Sequence, residues 1–383
     1  MRMVERATDP DDLLVVLSYY SPYVSGLTNV ARDVAEGLAA RGRRVRVITT
    51  QHDPGLPRRE VLNGVHVERA PVALHLGKGA ISPSLLPRVK RATRSARLLN
   101  LHLPMLEAGV LARTACIPTL ITYHCDVSLP PGIINWFQRM MIDASSRLAM
   151  KSAKQIVVTS QDYADHSRLA DSLRGKSVVV PPPCHEHPPG SPTFRQSTGV
   201  HIGFLGRIVE EKGLEYLVQA FRRFSDPDAR LLIGGEFSKI AGRSVIERVQ
   251  SRIGDDKRVQ LLGFVHDDQV ADFYASIDIF ALPSINAFEA FGIVQVEAMM
   301  AGVPVVASDL PGVRVPVRET GLGRIAAPAD VGSLEAAIGQ LISFPGNTEQ
   351  GRTTAVKLYA ASGVIDQYDD LVESLSAGSA AAR

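Results

Sequence analysis

Two cations and two carboxylates in the second half of the chain sit at spacings that suit a phosphorylated sugar. In GRIVEEKGLEYLVQAF (206–221), Arg207 and Lys212 flank a strand-to-helix turn, and Gly206 and Gly213 permit tight backbone there. A helix starting near Gly213 offers unpaired backbone N–H groups and the positive end of its dipole. Cations beside such a start suit a phosphate-bearing ligand. The plainer reading is a solvated loop with stray charges. The second cluster is PSINAFEAFGIVQVEAMMAGVPVVAS (283–308). Here Phe291-Gly292-Ile293 falls where a helix must begin, and Gly302 is its expected stop. Glu289 then lies at the helix mouth and Glu297 on its second turn. A carboxylate near a helix N-terminus stays anionic and accepts hydroxyl donors, as sugar recognition needs. Alone, each is an ordinary surface glutamate.

Elements able to hold these groups recur along the whole chain. Short apolar runs alternate with longer helical patterns: LLVVL (13–17), VRVIT (45–49), TLITY (119–123), QIVVTS (155–160) and SVVV (177–180). The rhythm restarts with VHIGFLG (200–206), RLLIGG (230–235), RVQLLGF (258–264), DIFALP (278–283) and VPVVAS (303–308). Such alternation predicts β-α-β units and parallel sheets. Between the two series, six of the twelve residues 181–192 are proline, which excludes helix and central strand. The expected organisation is an N-terminal α/β domain (1–185), a proline-rich linker (186–199) and a C-terminal α/β domain (200–383), with a cleft between the domains. The last helix, around VIDQYDDLVESL, is left free to pack back on the first domain.

Composition narrows the function classes. A chain of 383 residues is too long for one ordinary core, and 45% apolar with 21% charged residues is a globular balance. Lys+Arg 42 against Asp+Glu 40 leaves a net charge of +2, too small for a generic polyanion binder, so no nucleic-acid partner is expected. Cys116, Cys125 and Cys184 are scattered without metal-ligand spacing and suit a reducing cytoplasm. The N-terminus lacks the apolar core of a signal peptide, and the longest early charge-free run, Leu13 to Ala31, is interrupted by Ser18, Pro22, Ser25, Gly26 and Asn29, so no membrane span is expected.

Taken together, G-R-x-x-x-E-K-G (206–213), L-x-G-F-V (261–265) and P-S…E-A-F-G-x-V-x-x-E-A-M-x-x-G-V-P-V-V-A-S (283–308) resemble the retaining GT-B glycosyltransferases of the large group 1 family, related to glycogen and sucrose synthases. The likeness is strongest over about residues 200–345 and extends more weakly through SGLTNVARDVAEGLAARGRRVRVIT and TYHCDV. It implies two Rossmann-like domains and a sugar transfer from a UDP- or GDP-linked donor. Arg207 and Lys212 would hold the diphosphate. Glu289, with the N–H groups of Phe291, Gly292 and Ile293, would bind the sugar and a phosphate oxygen. Glu297 would contact the ribose, and the Val265 backbone would lie near the base. Gly26 matches the glycine-rich loop approaching the diphosphate, and His124 matches the active-site histidine facing the donor sugar. Two departures stand out: the family's Gly-Gly is Ser25-Gly26, and its G-G-E-G turn is Gly234-Gly235-Glu236-Phe237.

The expected enzyme is a hexosyltransferase working without metal or other cofactor, with retention of configuration. Arg207, Lys212 and a helix terminus could stabilise the leaving diphosphate. Asp9-Pro10-Asp11 and Asp226-Pro227-Asp228 match Asp-x-Asp but read as proline turns. Gly321 to Ala326 satisfies the dinucleotide pattern G-x-G-x-x-A, yet AAPAD follows it rather than a helix. A sugar-nucleotide epimerase of this fold and a silent nucleotide-sugar binder remain the alternatives. The acceptor, lipid-linked or small and soluble, is left open. PRVKRATRSARLL (87–99) reads as a basic amphipathic helix, so a cytoplasmic protein touching an anionic membrane surface through this segment is a further expectation.

Overall fold

The computed structural model describes residues 10–76, 79–129, 132–236 and 243–380. The chain forms two units, one of Met1–Pro183 with Ser362–Arg383 and one of Cys184–Ala361.

In the first unit, DDLLVV becomes β1 (Asp11–Val16), buried at every position but half-buried Asp12, as a central parallel strand requires. Ser25 caps α1 (Gly26–Ala40) by accepting the Thr28 N–H at 3.2 Å, and Val30, Val34 and Leu38 belong to the buried stripe. There follow β2 (Val45–Gln51), β3 (Arg59–Leu62), β4 (Val65–Pro71), the hairpin β5 (Leu74–Leu76) and β6 (Gly79–Ile81), and α2 (Leu85–Ala92). Next come β7 (Ala96–Leu103), α3 (Ala108–Thr114), β8 (Thr119–Tyr123), α4 (Ile133–Ser152), β9 (Gln155–Val158), α5 (Gln161–His166), α6 (Ala170–Leu173) and β10 (Ser177–Val179). The sheet order is β10-β9-β8-β7-β1-β2-β4-β3, with β3 antiparallel to β4.

The second unit begins its sheet with β11 (His201–Leu205), then α7 (Leu214–Phe221), β12 (Arg230–Gly234), α8 (Arg243–Ile253), β13 (Val259–Gly263) and α9 (Val270–Ala275). It continues with β14 (Ile279–Leu282), α10 (Ile293–Met300), β15 (Val305–Ser308), α11 (Val315–Thr320), β16 (Gly323–Ala326), α12 (Val331–Ser343) and α13 (Thr348–Tyr359). The parallel order β13-β12-β11-β14-β15-β16 reverses direction between β11 and β14. Side chains alternate across it: Ile279 and Ala281 face one core with Phe204 and Leu217, while Phe280 and Leu282 face another with Phe273 and Met299.

Three expectations are corrected. The second domain does not run to residue 383, because α14 (Ala361–Ala380) returns to the first unit. Val364, Tyr368 and Val372, spaced at i, i+4 and i+8, are buried, and a Cβ on Gly37 of α1 would lie 2.3 Å from Ile365 Cδ1. Arg43 adds an ion pair to Asp369 at 2.6 Å. Secondly, 186–199 is no free linker: Ser191 N donates to Asp272 Oδ1 at 2.7 Å and Phe194 N to Ser276 Oγ at 3.0 Å, strapping it along α9. The units divide at Pro183 instead. Thirdly, 87–99 is not one helix. The helix ends at Ala92, a 3₁₀ turn spans Thr93–Ser95, and Ala96 opens β7. Its apolar side, Leu85, Val89 and Ala92, is already buried in the core.

Candidate active site

Ligands of open parallel sheets bind beyond the carboxyl ends of the strands where the order reverses. In the second unit those strands are β11 and β14, and both clusters of chemistry follow them. Gly206 turns out of β11 at φ +152, its N–H donating to Gly234 O at 3.0 Å. A Cβ on Gly235 would sit 1.9 Å from Gly206 O, so no side chain fits. Gly213 lies in the left-handed region at φ +64, and a Cβ there would meet Pro283 O at 2.1 Å. The Ile285 N–H also donates to Glu211 O at 2.9 Å. The loops after β11 and β14 are therefore locked together by backbone contacts. Across that junction Lys212 Nζ pairs with Glu289 Oε2, both side chains 15% exposed. Arg207 is more open, its guanidinium 3.7 Å from Glu211.

Gly292 caps α10 at φ +81. A Cβ on it would strike Leu282 Cδ2 at 2.3 Å. Gln295, fully buried, donates from Nε2 to the carbonyls of Phe291 and, at 2.9 Å, Val313. This holds the first turn in place and leaves its leading N–H groups the helix's anion-accepting end. The Phe291 ring is core, packed edge-on against Tyr359, so its backbone is what it can offer a ligand. Glu297, one turn on, accepts from Tyr274 Oη at 3.3 Å and lies 3.9 Å from His187 Nε2. Burial, then the Glu297 charge, pushes the Tyr274 phenol well up, so it stays a neutral donor. Val265 packs at the end of β12, where a Cβ on Gly234 would meet its Cγ2 at 2.8 Å.

The first unit carries Gly26 and His124. Gly26 is the first residue of α1, and a Cβ there would meet nothing within 4 Å. Its neighbour Ser25 departs from the family's glycine for a local reason, since its hydroxyl caps the helix. His124 follows β8 and ends a buried polar chain. Thr122 Oγ1 donates to Asn100 Oδ1 at 3.1 Å, Asn100 Nδ2 to His102 Nε2 at 3.3 Å, and His102 Nδ1 to His124 Nε2 at 2.9 Å. Burial lowers the His124 imidazole to about 3, and His102 lies well below its usual value through burial and then His124. Both rings are neutral near pH 7.

Sequence reasoning did not single out Asn100, His102, His187, Tyr274 or Gln295. Polar residues at alternate positions of LLNLHL, and a glutamine inside an apolar helix, are the signals it had. The Asp226-Pro227-Asp228 string is a turn closed by Asp228 N donating to Asp226 Oδ1 at 2.9 Å. Asp9 and Phe237 lie outside the described residues. Gly321 is the left-handed cap of α11 and Gly323 starts β16, where a Cβ would hit Val305 O at 2.3 Å. Those glycines serve the fold, not a dinucleotide.

Comparison with known proteins decides the family. Residues 193–355 match "Glycosyl transferases group 1" and residues 25–183 match "Glycosyl transferase 4-like domain". The chain belongs to the group 1 glycosyltransferases. Among curated relatives, this glycosyltransferase is 28% identical to the 2-deoxystreptamine glucosyltransferase of Streptomyces kanamyceticus, covering 82% of this chain and 88% of the relative. Its fold is GT-B. Sucrose-phosphate synthase from Thermosynechococcus elongatus superposes at a TM-score of 0.75 with 20% identity, over 96% of this chain and 99% of that one. HepE of Anabaena, solved in complex with UDP-glucose, gives 0.72 at 20% identity, over 95% and 99%.

Proposed function

We propose that this glycosyltransferase moves a hexose-type sugar from a nucleoside-diphosphate sugar to an acceptor, with retention of configuration and without metal. The observation that carries this reading is the Lys212–Glu289 pair at the β11/β14 junction, beside the start of α10 and the open Arg207. As the glycosidic bond breaks, the departing diphosphate gains charge. Arg207, Lys212 and the α10 N–H groups would stabilise it. Glu289 would hold sugar hydroxyls, Glu297 the ribose, and Val265 the edge of the base. Gly26 would leave room for the diphosphate, and His124 would donate to the sugar. Transfer on one face of the sugar, with the leaving phosphate taking the acceptor proton, accounts for retention without a carboxylate nucleophile. The UDP-glucose complex of HepE favours a uridine donor, with GDP-linked sugars as the other class to test. The expected place of action is the cytoplasm.

Incubation with a panel of UDP- and GDP-hexoses, reading released nucleotide and the anomer formed, tests the reading. Nucleotide release should persist in excess EDTA. Magnesium-reversible loss would overturn the metal-free mechanism, and an epimerised donor without release would make the protein an epimerase. Catalytic silence is disfavoured because Arg207, Lys212, Glu289 and Glu297 are all present.

A further inference from the structure

Helix α4 breaks the usual rule for a helix on a globular protein. Its buried residues, Ser146, Ala149 and Met150, all lie in its second half. The first half leaves large apolar side chains in the open: Ile133 is 86% exposed, Ile134 77%, Trp136 52%, Phe137 58%, Met140 48% and Met141 45%. A contiguous apolar surface of this kind marks an interaction site rather than a stray exposed leucine. The outward stripe steps through Ile133, Phe137, Met140 and Ala144 and then turns basic at Arg147 and Lys151, all exposed.

The neighbours extend the charge. Successive crossovers into β7, β8 and β9 step the same way across the sheet, so right-handedness puts α2, α3 and α4 on one face. Helix α3 packs against both others, and Gly109 lets α4 approach so closely that a Cβ there would lie 2.8 Å from Ser145 O. Lys90, Arg91, Arg94 and Arg113 on this face are exposed. Within 85–97, 108–114 and 133–154 the single acid is Asp143, hydrogen-bonded to Arg168 at 3.2 Å. The acids Asp366 and Asp369 belong to α14, which packs on α1, across the sheet from this face.

We infer that the α2–α3–α4 face docks on an anionic lipid bilayer, with the first turns of α4 entering the headgroup–acyl boundary and the flanking cations meeting lipid phosphates. Apolar insertion next to Lys and Arg is the pattern of an interfacial helix, and tryptophan favours that depth. A second copy of this chain fits less well, because a two-fold contact would set this basic face against itself. The 85–92 segment contributes charge alone, since its apolar side is spent in the core. Among the described residues no helix is long and apolar enough to cross a membrane, so the contact is a surface one. The inference does not rest on the catalytic reading and is tested without donor or acceptor.

Trp136 is the one tryptophan in the chain and therefore reports on this patch alone. Vesicles of phosphatidylcholine with about a third phosphatidylglycerol, at about 50 mM salt, should blue-shift its emission, expose it to quenchers carried on acyl chains, and co-sediment the full-length protein. Pure phosphatidylcholine should do so far more weakly, and raised salt should release the protein. Ile133→Ser with Phe137→Ser, and separately Arg147→Ser with Lys151→Ser, should each weaken binding roughly tenfold or more at unchanged melting temperature. Unchanged Trp136 emission and no co-sedimentation at low salt would overturn the inference. So would equal, salt-insensitive binding to neutral vesicles. Concentration-dependent self-association, lost in the Ile133/Phe137 variant and without vesicle binding, would assign the face to a second copy instead.

Discussion

The hydrogen bond from His102 Nδ1 to His124 Nε2, 2.9 Å long, decides which nitrogen of His124 carries its proton. Asn100 Nδ2 donates to His102 Nε2, so the His102 proton must be on Nδ1. His124 Nε2 then accepts, and its Nδ1–H is left as a donor. Nitrogen-15 spectra of His124 should show the Nδ1–H tautomer in the wild type and a mixture in His102→Phe. Turnover should fall about tenfold to a hundredfold in that variant, with nucleotide affinity within about twofold. His102→Asn, which keeps a donor near the same place, should recover part of the loss. Equal losses in affinity and turnover would make His102 merely structural.

The same pair gives stability a pH dependence of definite sign. Both rings are neutral in the fold, with His124 lowered to about 3, whereas unfolded histidines titrate at ordinary values. The unfolded chain therefore binds more protons below about pH 6.5, and stability must fall as pH drops from there toward 3. Melting temperature followed across this window should decline, and the decline should be shallower in His102→Asn. Catalysis should show no ionisation of His124 between pH 5 and 8.

Removing the cations separates binding from folding. Lys212→Ala or Arg207→Ala should each weaken donor affinity about tenfold to a hundredfold, the worth of one charge-assisted hydrogen bond. The double variant should lose calorimetric binding while still unfolding cooperatively, with Arg207→Ala alone at a nearly unchanged melting temperature. Lys212→Ala also leaves Glu289 unpaired at 15% exposure, so of the two it should be the less stable.

Two glycines should respond oppositely to alanine. At Gly213, φ +64 and a Cβ 2.1 Å from Pro283 O force the β11 and β14 loops apart. Gly213→Ala should cost about 2 kcal/mol or more in denaturant unfolding and also impair donor binding. At Gly26 the added methyl meets no protein atom within 4 Å. Gly26→Ala should leave stability unchanged and, on the proposed role of this space as room for the diphosphate, weaken donor binding alone.

What the sequence disclosed tracks how locally each feature is encoded. Strands such as LLVVL and IFAL are buried on both faces, so they appear as unbroken apolar runs. REVL, the edge strand, and VHVERAP, which pairs with it, alternate with exposed or half-buried positions and give no such run. The start of β7 was hidden by five basic residues in 87–99, which mimic a helical surface. The loops carrying Arg207, Lys212 and Glu289 were legible because each motif is contiguous. Their mutual contact was not, because Gly213 meets Pro283 and Lys212 meets Glu289 only when β11 and β14 become neighbours. The Thr122–Asn100–His102–His124 chain crosses from β8 to β7 and back, a relation no linear spacing encodes.

The return of α14 sets an order of assembly. The first unit is interrupted in the gene, because Tyr368 fills its interior while the whole of 184–361 intervenes. On the ribosome the first unit must wait, its groove over α1 unfilled, until the second has been synthesised. A nascent chain stopped before residue 361 would expose that groove and invite chaperones. Protease resistance of the first unit should therefore mature late, in step with the emergence of α14 rather than with completion of β10.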